Sequence, residues 1–349
     1  MQLWLSFLGT FQVTWAHTPL EFATDPARAL LAYLAVEAHP EARPTGACWA
    51  RPHPRETLAA LLWPDRPQAT AYSNLRQTLS RLRKALQDVQ TSPPPLLITP
   101  KMVQFHPAAG MIDVVRFEEL RSICAAHDHP DLAGCPACGE RLRQAVDLYR
   151  GEFLHGLYLE QSQPFEEWLL FKREQLHRQA LEMLDTLTVH AERQSDYTQM
   201  ARFATRQLAL EPWREQAHRQ LMWALAAGGQ PEAALTQYGA CCRILAEQVD
   251  APPAAETTAL YERIRAGGSL PRPEPATGPG ELAVTIVVPP PAPASQDQKV
   301  SEAPIVPQLF GRQYELAQLV AWLAHERCQV VTVVGIGGVG KTTLAASAV

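Results

Sequence analysis

Residues 68–86 read QATAYSNLRQTLSRLRKAL, and this stretch decides the fold of the N-terminal part of the chain. Its apolar residues recur at steps of three and four, which places them on one face of a helix. These apolar positions are Ala71, Leu75, Leu79, Leu82 and Leu86. The period therefore predicts an amphipathic helix from about Gln68 to Asp88.

The opposite face of this helix is basic and contains no acid, because neither Asp nor Glu occurs between Arg66 and Gln87. The alternative is an ordinary solvated face, but surface helices usually intersperse both signs of charge. Arg, Asn, Gln and Ser can reach base edges and phosphates in a major groove. The side chains expected to contact DNA are Ser73, Asn74, Arg76, Gln77, Ser80, Arg81, Arg83 and Lys84.

The elements around this helix indicate which fold contains it. Alternating apolar and polar residues over 2–22 predict two or three short antiparallel strands. Two helices, at about 26–38 and 54–63, follow them, and residues 96–106 predict a hairpin with Lys101 at or near its turn. This order is that of a winged helix whose third helix enters the groove and whose wing lies along the DNA backbone. We therefore add Lys101 to the expected DNA contacts.

The middle of the chain is nearly all helical by pattern, from Arg141 to Ile264. Two helix pairs follow each other at about the 34-residue tetratricopeptide period, so that Tyr197 aligns with Pro231. Such repeats stack into a curved surface suited to protein contacts, and nothing in them suggests catalysis.

Four motifs of this region resemble the SARP-type bacterial transcriptional activators, the antibiotic regulatory proteins with a response-regulator-type winged helix. In chain order these motifs are RALLAYLAVEAH, RETLAALLWPD, ATAYSNLRQTLSRLRKAL and DVVRFEEL. The resemblance implies a winged-helix DNA-binding domain over residues 1–115 and a helical bacterial transcriptional activation domain over 116–266. An insertion from Pro40 to Pro54 departs from the family pattern, and we expect it to lie on a loop.

A second module follows a proline-rich segment, residues 267–308, whose composition predicts an extended linker. The octapeptide GIGGVGKT at 335–342 fits G-x-x-x-x-G-K-[ST] and follows a predicted buried strand. In such a loop Lys341 neutralises phosphate charge and Thr342 offers its hydroxyl to Mg²⁺. The expected nucleotide-binding residues are Gly335, Gly337, Gly338, Gly340, Lys341, Thr342 and Thr343.

This second module, residues 309–349, resembles the entry to the STAND NTPases, signalling ATPases controlled by nucleotide state. FGRQYEL and the phosphate loop occur in the family's order. The resemblance implies ATP and Mg²⁺ as ligands of the complete protein. Hydrolysis also needs a positioned water and a second-strand carboxylate. Neither follows the loop, so we expect a truncated α/β module and a chain that is not an enzyme.

Five residues near the start of the helical region are of types that bind zinc. Cys124 and His127 precede the knuckle Cys135-Pro-Ala-Cys138, which predicts a structural zinc held by these four residues, with His129 as a substitute for His127. The alternative is a packed helix hairpin, because free cysteine is commonly buried. The remaining cysteines have no such neighbours and are interpreted as core or incidental.

Composition limits the remaining possibilities. The net charge of −5 excludes a globally basic nucleic-acid coat but allows a local basic face. Seven irregularly spaced cysteines argue against a secreted disulfide framework. The N-terminus does not have the features of a signal peptide, and no apolar run is long enough for a membrane span. These features predict a cytoplasmic protein without membrane contact.

Together these patterns predict a mainly α chain: an α+β winged helix, an all-α tetratricopeptide-like domain, a linker and a truncated P-loop module. The favoured function is a sequence-specific DNA-binding transcriptional regulator, an activator. Its helical domain would contact RNA polymerase or a regulatory protein, and nucleotide binding would be a regulatory input. The alternative is a STAND-type signalling ATPase whose N-terminal half is an adaptor. The acid-free helix face favours the first function.

Overall fold

A computed structural model describes residues 3–38, 52–86, 94–129 and 131–267, which belong to one compact unit. These residues are mainly helical with three small sheets, which confirms the predicted fold class. The predicted linker beyond residue 267 and the phosphate loop lie outside the described residues.

The described ranges contain nine short strands and ten α-helices. The strands are β1 (Leu3–Ser6), β2 (Gly9–Thr10), β3 (Gln12–Trp15), β4 (Thr18–Pro19), β5 (His53–Pro54), β6 (Leu96–Ile98), β7 (Met102–Phe105), β8 (Gly110–Ile112) and β9 (Phe153–His155). The helices are α1 (Asp25–Glu37), α2 (Arg55–Leu62), α3 (Gln68–Ala85), α4 (Asp113–Ala126), α5 (Pro136–Leu148), α6 (Gln163–Arg193), α7 (Tyr197–Leu210), α8 (Glu215–Ala227), α9 (Pro231–Gln248) and α10 (Ala255–Arg265).

The N-terminal sheet has the order β4-β3-β1-β8. The antiparallel β1–β3 pairing confirms the prediction from the alternating residues. The fourth strand, β8, was not predicted, and it pairs with β1 in parallel. Gly110 of β8 lies so close to β1 that an added Cβ would be 2.6 Å from the carbonyl oxygen of Leu3. A glycine is therefore required where the two strands meet.

Helices α1, α2 and α3 form the predicted three-helix part of the winged helix. The apolar face of α3 is buried, with Leu75 1% exposed and Leu82 0% exposed, and it packs on α1 and α2. Burying one leucine side chain contributes roughly 1.5–3 kcal/mol to the free energy of unfolding. The apolar residues of α3 thus fix which face of the helix remains in water.

The wing is a three-stranded sheet of order β5-β7-β6. The β6–β7 hairpin confirms the sequence prediction. The end of the insertion, predicted as loop, instead forms β5, whose His53 pairs with Val103 of β7. Pro54 is compatible with this position because β5 is an edge strand, where a missing N–H is tolerated.

The helical region contains the predicted repeats. Helix α7 begins at Tyr197 and α9 at Pro231, a separation that matches the tetratricopeptide period of about 34 residues. The prediction of a nearly all-helical segment is confirmed, and the three-residue strand β9 within it was not predicted. Strand β9 pairs with β2 of the N-terminal part. A three-residue strand is too short for a period of two to be visible in sequence.

The winged helix and the helical region share a polar contact at Asp113, which is 1% exposed at the start of α4. Its carboxylate accepts hydrogen bonds from the backbone N–H groups of Phe7 at 2.9 Å and Leu8 at 3.0 Å, and from Arg150 at 3.2 Å. Burial raises the pKa of Asp113, while these donors and the N–H of Val114 oppose the rise. Asp113 therefore connects β1, α4 and the end of α5 in one network.

A second contact joins α6 to the first two helices. Trp168 of α6 donates from Nε1 to the carboxylate of Glu37 in α1 at 2.9 Å, and its ring lies 5.1 Å from that of Tyr33. The Ser162 hydroxyl donates to the carbonyl of Leu61 in α2. These contacts hold α1 and α2, and α3 remains open to solvent on its polar face.

Candidate nucleic-acid interface and metal cluster

The structure places the predicted DNA contacts of α3 on one solvent-facing surface, here called the α3 face. Of its eight residues only Asn74 is half-buried. The exposed members are Ser73, Arg76, Gln77, Ser80, Arg81, Arg83 and Lys84. Two rows run along this face at helical spacing, one through Asn74, Gln77 and Arg81 and one through Arg76, Ser80 and Arg83. The side chains are thus available together to one partner.

Three of the four cations of the α3 face have no ion-pair partner within the described residues. Arg76, Arg81 and Lys84 make no ion pair there, whereas Arg83 has an interaction elsewhere. Lys84 lies in the last turn of α3, where a cation also interacts favourably with the helix dipole. Phosphate groups are the chemical partners that such an uncompensated row of cations attracts.

The wing presents the last predicted DNA contact. Lys101 is exposed in the turn between β6 and β7, and its carbonyl accepts from the N–H of Arg55 at 2.9 Å. Thr99 closes the same turn, because its N–H donates to the carbonyl of Met102 at 2.9 Å. A backbone hydrogen bond therefore connects the turn to the first residue of α2. This contact fixes the position of Lys101 relative to that helix.

A metal-type cluster lies at the corner between α4 and α5. His127, His129 and Cys138 each offer one ligand atom, and these atoms all lie within 4.8 Å of one another. His127 Nδ1 is 3.2 Å from Cys138 Sγ and 3.6 Å from Cys135 Sγ. The structure thus brings His127, His129 and Cys138 together around one point, and Cys135 lies next to His127 outside this mutually close group.

The fifth residue, Cys124, lies beside this cluster but not in the mutually close group. Its Sγ is 3.8 Å from the carbonyl oxygen of Cys138. Burial, together with the neighbouring Cys138 thiol, raises the pKa of Cys124 to about 12. The pKa of Cys135 is lowered, first by a backbone N–H of Cys138 at the start of α5. The two thiols therefore differ in how easily they ionise.

Sequence reasoning did not assign one neighbour of the cluster, Arg141, whose Nη1 is 3.9 Å from Cys138 Sγ. It also did not identify Asp113 as the buried acceptor between the two parts of the fold. The local sequence signal for Asp113 is a carboxylate at the first position of a helix that follows an apolar strand. Such a position is common for solvated capping residues as well, so sequence alone does not distinguish the two.

The described residues also contain a shallow cleft of about 410 Å³ next to α7. Its lining includes Arg202 and Arg206. Both arginines pair with Asp147, at 3.9 and 3.0 Å. Because this one carboxylate neutralises part of their charge, the cleft offers less to an anionic ligand than unpaired cations of the α3 face do.

The chain is similar to known bacterial regulatory proteins. Residues 112–265 match the model of the bacterial transcriptional activator domain. The regulatory protein AfsR of Streptomyces coelicolor is 32% identical over 297 residues, covering 82% of this chain and 27% of AfsR. AfsR of Streptomyces griseus is 31% identical over 300 residues, with the same coverage of 82% and 27%. Together these matches support a SARP-type bacterial transcriptional regulator.

A solved structure is similar in fold. That of Mycobacterium tuberculosis EmbR in complex with a low affinity phosphopeptide has a TM-score of 0.51, with 21% identity, and the match covers 78% of this chain and 67% of EmbR. This likeness shows the fold alone. The chain spans 27% of the length of the AfsR proteins it matches.

Two further findings concern the remainder of the chain. Residues 312–349 match the model of the NB-ARC domain. The predicted nucleotide-binding residues 335–343 fall in this match and outside the described residues. Within the described ranges, every helix is too short or too polar to cross a bilayer.

Proposed function

We propose that this chain is a sequence-specific, DNA-binding transcriptional activator that contacts its promoter through the α3 face and the wing. The observation that carries the proposal is the α3 face itself. Three of its cations, Arg76, Arg81 and Lys84, are exposed and make no ion pair within the described residues, while the apolar side of the same helix is buried in a winged-helix core. A helix held in this way can enter a major groove without distortion of the protein.

The residue types of the α3 face suggest a division of roles. Asn74 and Gln77 carry amides, which pair with adenine edges, and arginine pairs with guanine edges. Arg76, Arg81 and Lys84 supply the phosphate contacts that fix register but do not read sequence. Lys101 on the wing would contact the backbone of the same duplex. The face thus combines both kinds of contact that a specific DNA-binding protein needs.

The nucleotide module supplies the regulatory input in this proposal. The NB-ARC match and the GIGGVGKT loop support binding of ATP and Mg²⁺ in the complete protein by residues 335–343. Lys341 would neutralise phosphate charge, and Thr342 would bind the metal ion. The names of the AfsR relatives, which are regulatory proteins, favour a role in control rather than in turnover of ATP.

The helical domain would contact RNA polymerase or another regulatory protein. Its stacked helix pairs form the kind of extended surface that repeat proteins use for protein partners. The cytoplasm is the compartment where such a protein meets both promoter DNA and polymerase. A signalling ATPase with an N-terminal adaptor is the second candidate, and the NB-ARC match is the observation that favours it.

One experiment separates the two candidates. The 349-residue chain is used to select sites from a random duplex library, and the affinity for the selected site is compared with that for bulk DNA at fixed salt. A specific regulator should prefer its site by on the order of a thousandfold or more. Phosphate release from ATP is measured in parallel, with the Lys341→Ala variant as the background. Equal affinity for all duplexes, together with release well above that background, would favour the signalling ATPase.

A further inference from the structure

We propose that His127, His129, Cys135 and Cys138 bind one structural zinc ion at the corner between α4 and α5. This inference goes beyond the proposed function, because it concerns a site remote from the α3 face in sequence and is tested without DNA. It also differs from the ligand set expected from sequence, in which Cys124 was a ligand and His129 a substitute.

The two separations from His127 Nδ1 fit one zinc ion, whereas Cys135 Sγ must move to join the mutually close group. Zinc binds histidine nitrogen at about 2.0–2.1 Å and cysteine sulfur at about 2.3 Å, so tetrahedral ligands lie roughly 3.3–3.8 Å apart. His127 Nδ1 is 3.2 Å from Cys138 Sγ and 3.6 Å from Cys135 Sγ. Small movements of side chains would bring both contacts to the ideal separation.

The contacts of His129 support a bound metal ion independently of these separations. Its Nε2 lies 3.2 Å from the carbonyl oxygen of Cys124, so the Nε2–H donates to that carbonyl. Its Nδ1 is then an acceptor, and this atom is buried without a hydrogen-bond partner. Metal-binding histidines commonly donate one ring N–H to a backbone carbonyl and bind the metal through the other nitrogen. A metal ion would satisfy the buried nitrogen of His129.

The start of α5 supplies the two sulfur ligands. Cys135 is the N-cap of α5 and Cys138 lies three residues later, so one helical turn separates the two thiols. Arg141 is positioned to donate to Cys138 Sγ at 3.9 Å. The fixed helix start therefore holds both sulfurs on the side of the loop that carries the two histidines.

Cys124 is assigned a supporting role. Its thiol lies 3.8 Å from the carbonyl oxygen of Cys138, and its own carbonyl is the partner of His129. Both contacts orient residues of the proposed site. Cys124 and Cys135 both lie outside the mutually close group of His127, His129 and Cys138, but the Cys124 thiol contacts the Cys138 carbonyl, whereas Cys135 Sγ lies 3.6 Å from His127 Nδ1. Removal of its side chain should leave the metal bound.

The proposed zinc would connect the α4–α5 loop to the start of α5, next to the long helix α6. On its far side this loop already contacts α6, since His190 Nδ1 lies 2.8 Å from the Ala133 carbonyl and Asp131 pairs with Arg193. Gly139 of α5 approaches His190 so closely that a Cβ there would lie 2.6 Å from its Nε2. Four protein ligands leave no open position for substrate, so the role of the metal is structural.

The test begins with metal analysis of the 349-residue chain, purified without chelator and with zinc in the medium. About one zinc per chain is expected, as for a four-ligand structural site. The exposed ligands His127 and Cys135 are changed first, to give His127→Gln and Cys135→Ser, because these substitutions leave the core intact. Each should reduce zinc content and lower the Tm. The matched controls Cys124→Ala and Cys242→Ala should retain zinc.

Cobalt substitution tests the ligand types. The apoprotein refilled with Co²⁺ should show the visible bands of a tetrahedral ion and a thiolate charge-transfer band, and the latter should weaken in Cys135→Ser. Zinc below about 0.2 per chain in the wild type would overturn the proposal, because a structural site is close to fully occupied. Full zinc in His129→Gln with loss of zinc in Cys124→Ala would overturn the assigned ligand set.

Discussion

The arginines of α3 and those of the helical domain differ in what surrounds them. On α3, Arg76 and Arg81 are exposed and have no ion-pair partner among the described residues. In the helical domain, Arg206 pairs with Asp147 at 3.0 Å, and Arg219 with Glu215 at 3.8 Å. Arginine serves two purposes in one chain, and the position of the nearest carboxylate distinguishes them.

This difference explains how a chain of net charge −5 can present a DNA-binding surface. The acids that produce the negative total are absent from residues 66–87, and many of those in the helical domain pair with neighbouring cations there. Exposed pairs of this kind contribute only about 0–1 kcal/mol each to stability. The local pattern of charge, rather than the total, therefore determines where a polyanion binds.

The largest expected effect comes from removal of the unpaired cations. A variant with Arg76→Ala, Arg81→Ala and Lys84→Ala should bind duplex DNA roughly a hundredfold more weakly, and its salt slope should fall by about one unit per lost phosphate contact. Its free energy of unfolding should change by less than about 0.5 kcal/mol per site, because the three side chains are exposed. Fluorescence anisotropy at several salt concentrations measures both binding quantities.

The matched control removes the same total charge from the helical domain, with Arg178→Ala, Arg202→Ala and Arg265→Ala. Two of these arginines are paired, Arg202 with Asp147 and Arg265 with Glu262. The control should keep the wild-type salt slope. If both triple variants lost affinity equally, net charge rather than the α3 face would explain DNA binding.

The next largest effect should be at Asp113, where the two parts of the fold meet. In Asp113→Asn the amide NH₂ replaces one acceptor oxygen opposite the N–H groups of Phe7 and Leu8. Loss of acceptors for buried donors should reduce the free energy of unfolding by about 2–3 kcal/mol. Urea titration measures this change. Asp147→Asn, at a half-exposed carboxylate, is the control and should have a much smaller effect.

Arg173 tests the other role of arginine, in which a largely buried guanidinium stabilises the fold and does not contact DNA. Its side chain is 11% exposed, and it donates to the carbonyl oxygens of Phe153 and Leu154, both at 2.9 Å. Arg173→Met keeps an apolar stem but leaves these carbonyls without their donor, which should cost about 2 kcal/mol of stability. DNA affinity at low denaturant should not change. Arg178→Met, at an exposed position of the same helix, should be nearly neutral in both assays.

The sequence predicts those parts of the fold in which the signal is local. The leucines of α3 and the interval between Tyr197 and Pro231 are periodic, and both confirmed predictions rest on that period. Strands β8 and β9 were missed because each has three residues and a partner far away in sequence. Leu3, for example, pairs with Gly110.

The candidate sites show the same limit. Exposure of the α3 face follows from helical spacing, so sequence could identify its members. The choice between Cys124 and His129 as neighbours of Cys138 depends on the path of the loop between α4 and α5. Spacing alone allowed both residues, since each lies within 15 positions of Cys138. Which side chain turns toward the cluster is decided by contacts such as that of His129 with the Cys124 carbonyl.

The smallest expected effect is a change in stability with pH that results from His218, a buried residue of the helical repeats. His218 of α8 is 1% exposed, and its Nε2–H donates to the Pro212 carbonyl at 2.8 Å while Nδ1 accepts from Gln237 at 2.7 Å. Burial lowers the pKa of His218 below its ordinary value of 6.5, although the Pro212 carbonyl and Glu215 oppose the shift. The buried ring is therefore neutral, in contrast to the permanently charged α3 face.

A lowered pKa in the folded state has a definite consequence for stability. Above pH 6.5 the ring is neutral in both states, and its contribution is fully present. As the pH falls below that value, the unfolded chain takes up the proton first, so stability is lost progressively through the folded-state pKa. The loss should be about 1 kcal/mol or less per pH unit. His218→Gln should flatten this part of the urea stability profile, whereas His155→Gln, at an exposed site, should not. Identical profiles for wild type and His218→Gln would show that His218 is not the group that titrates.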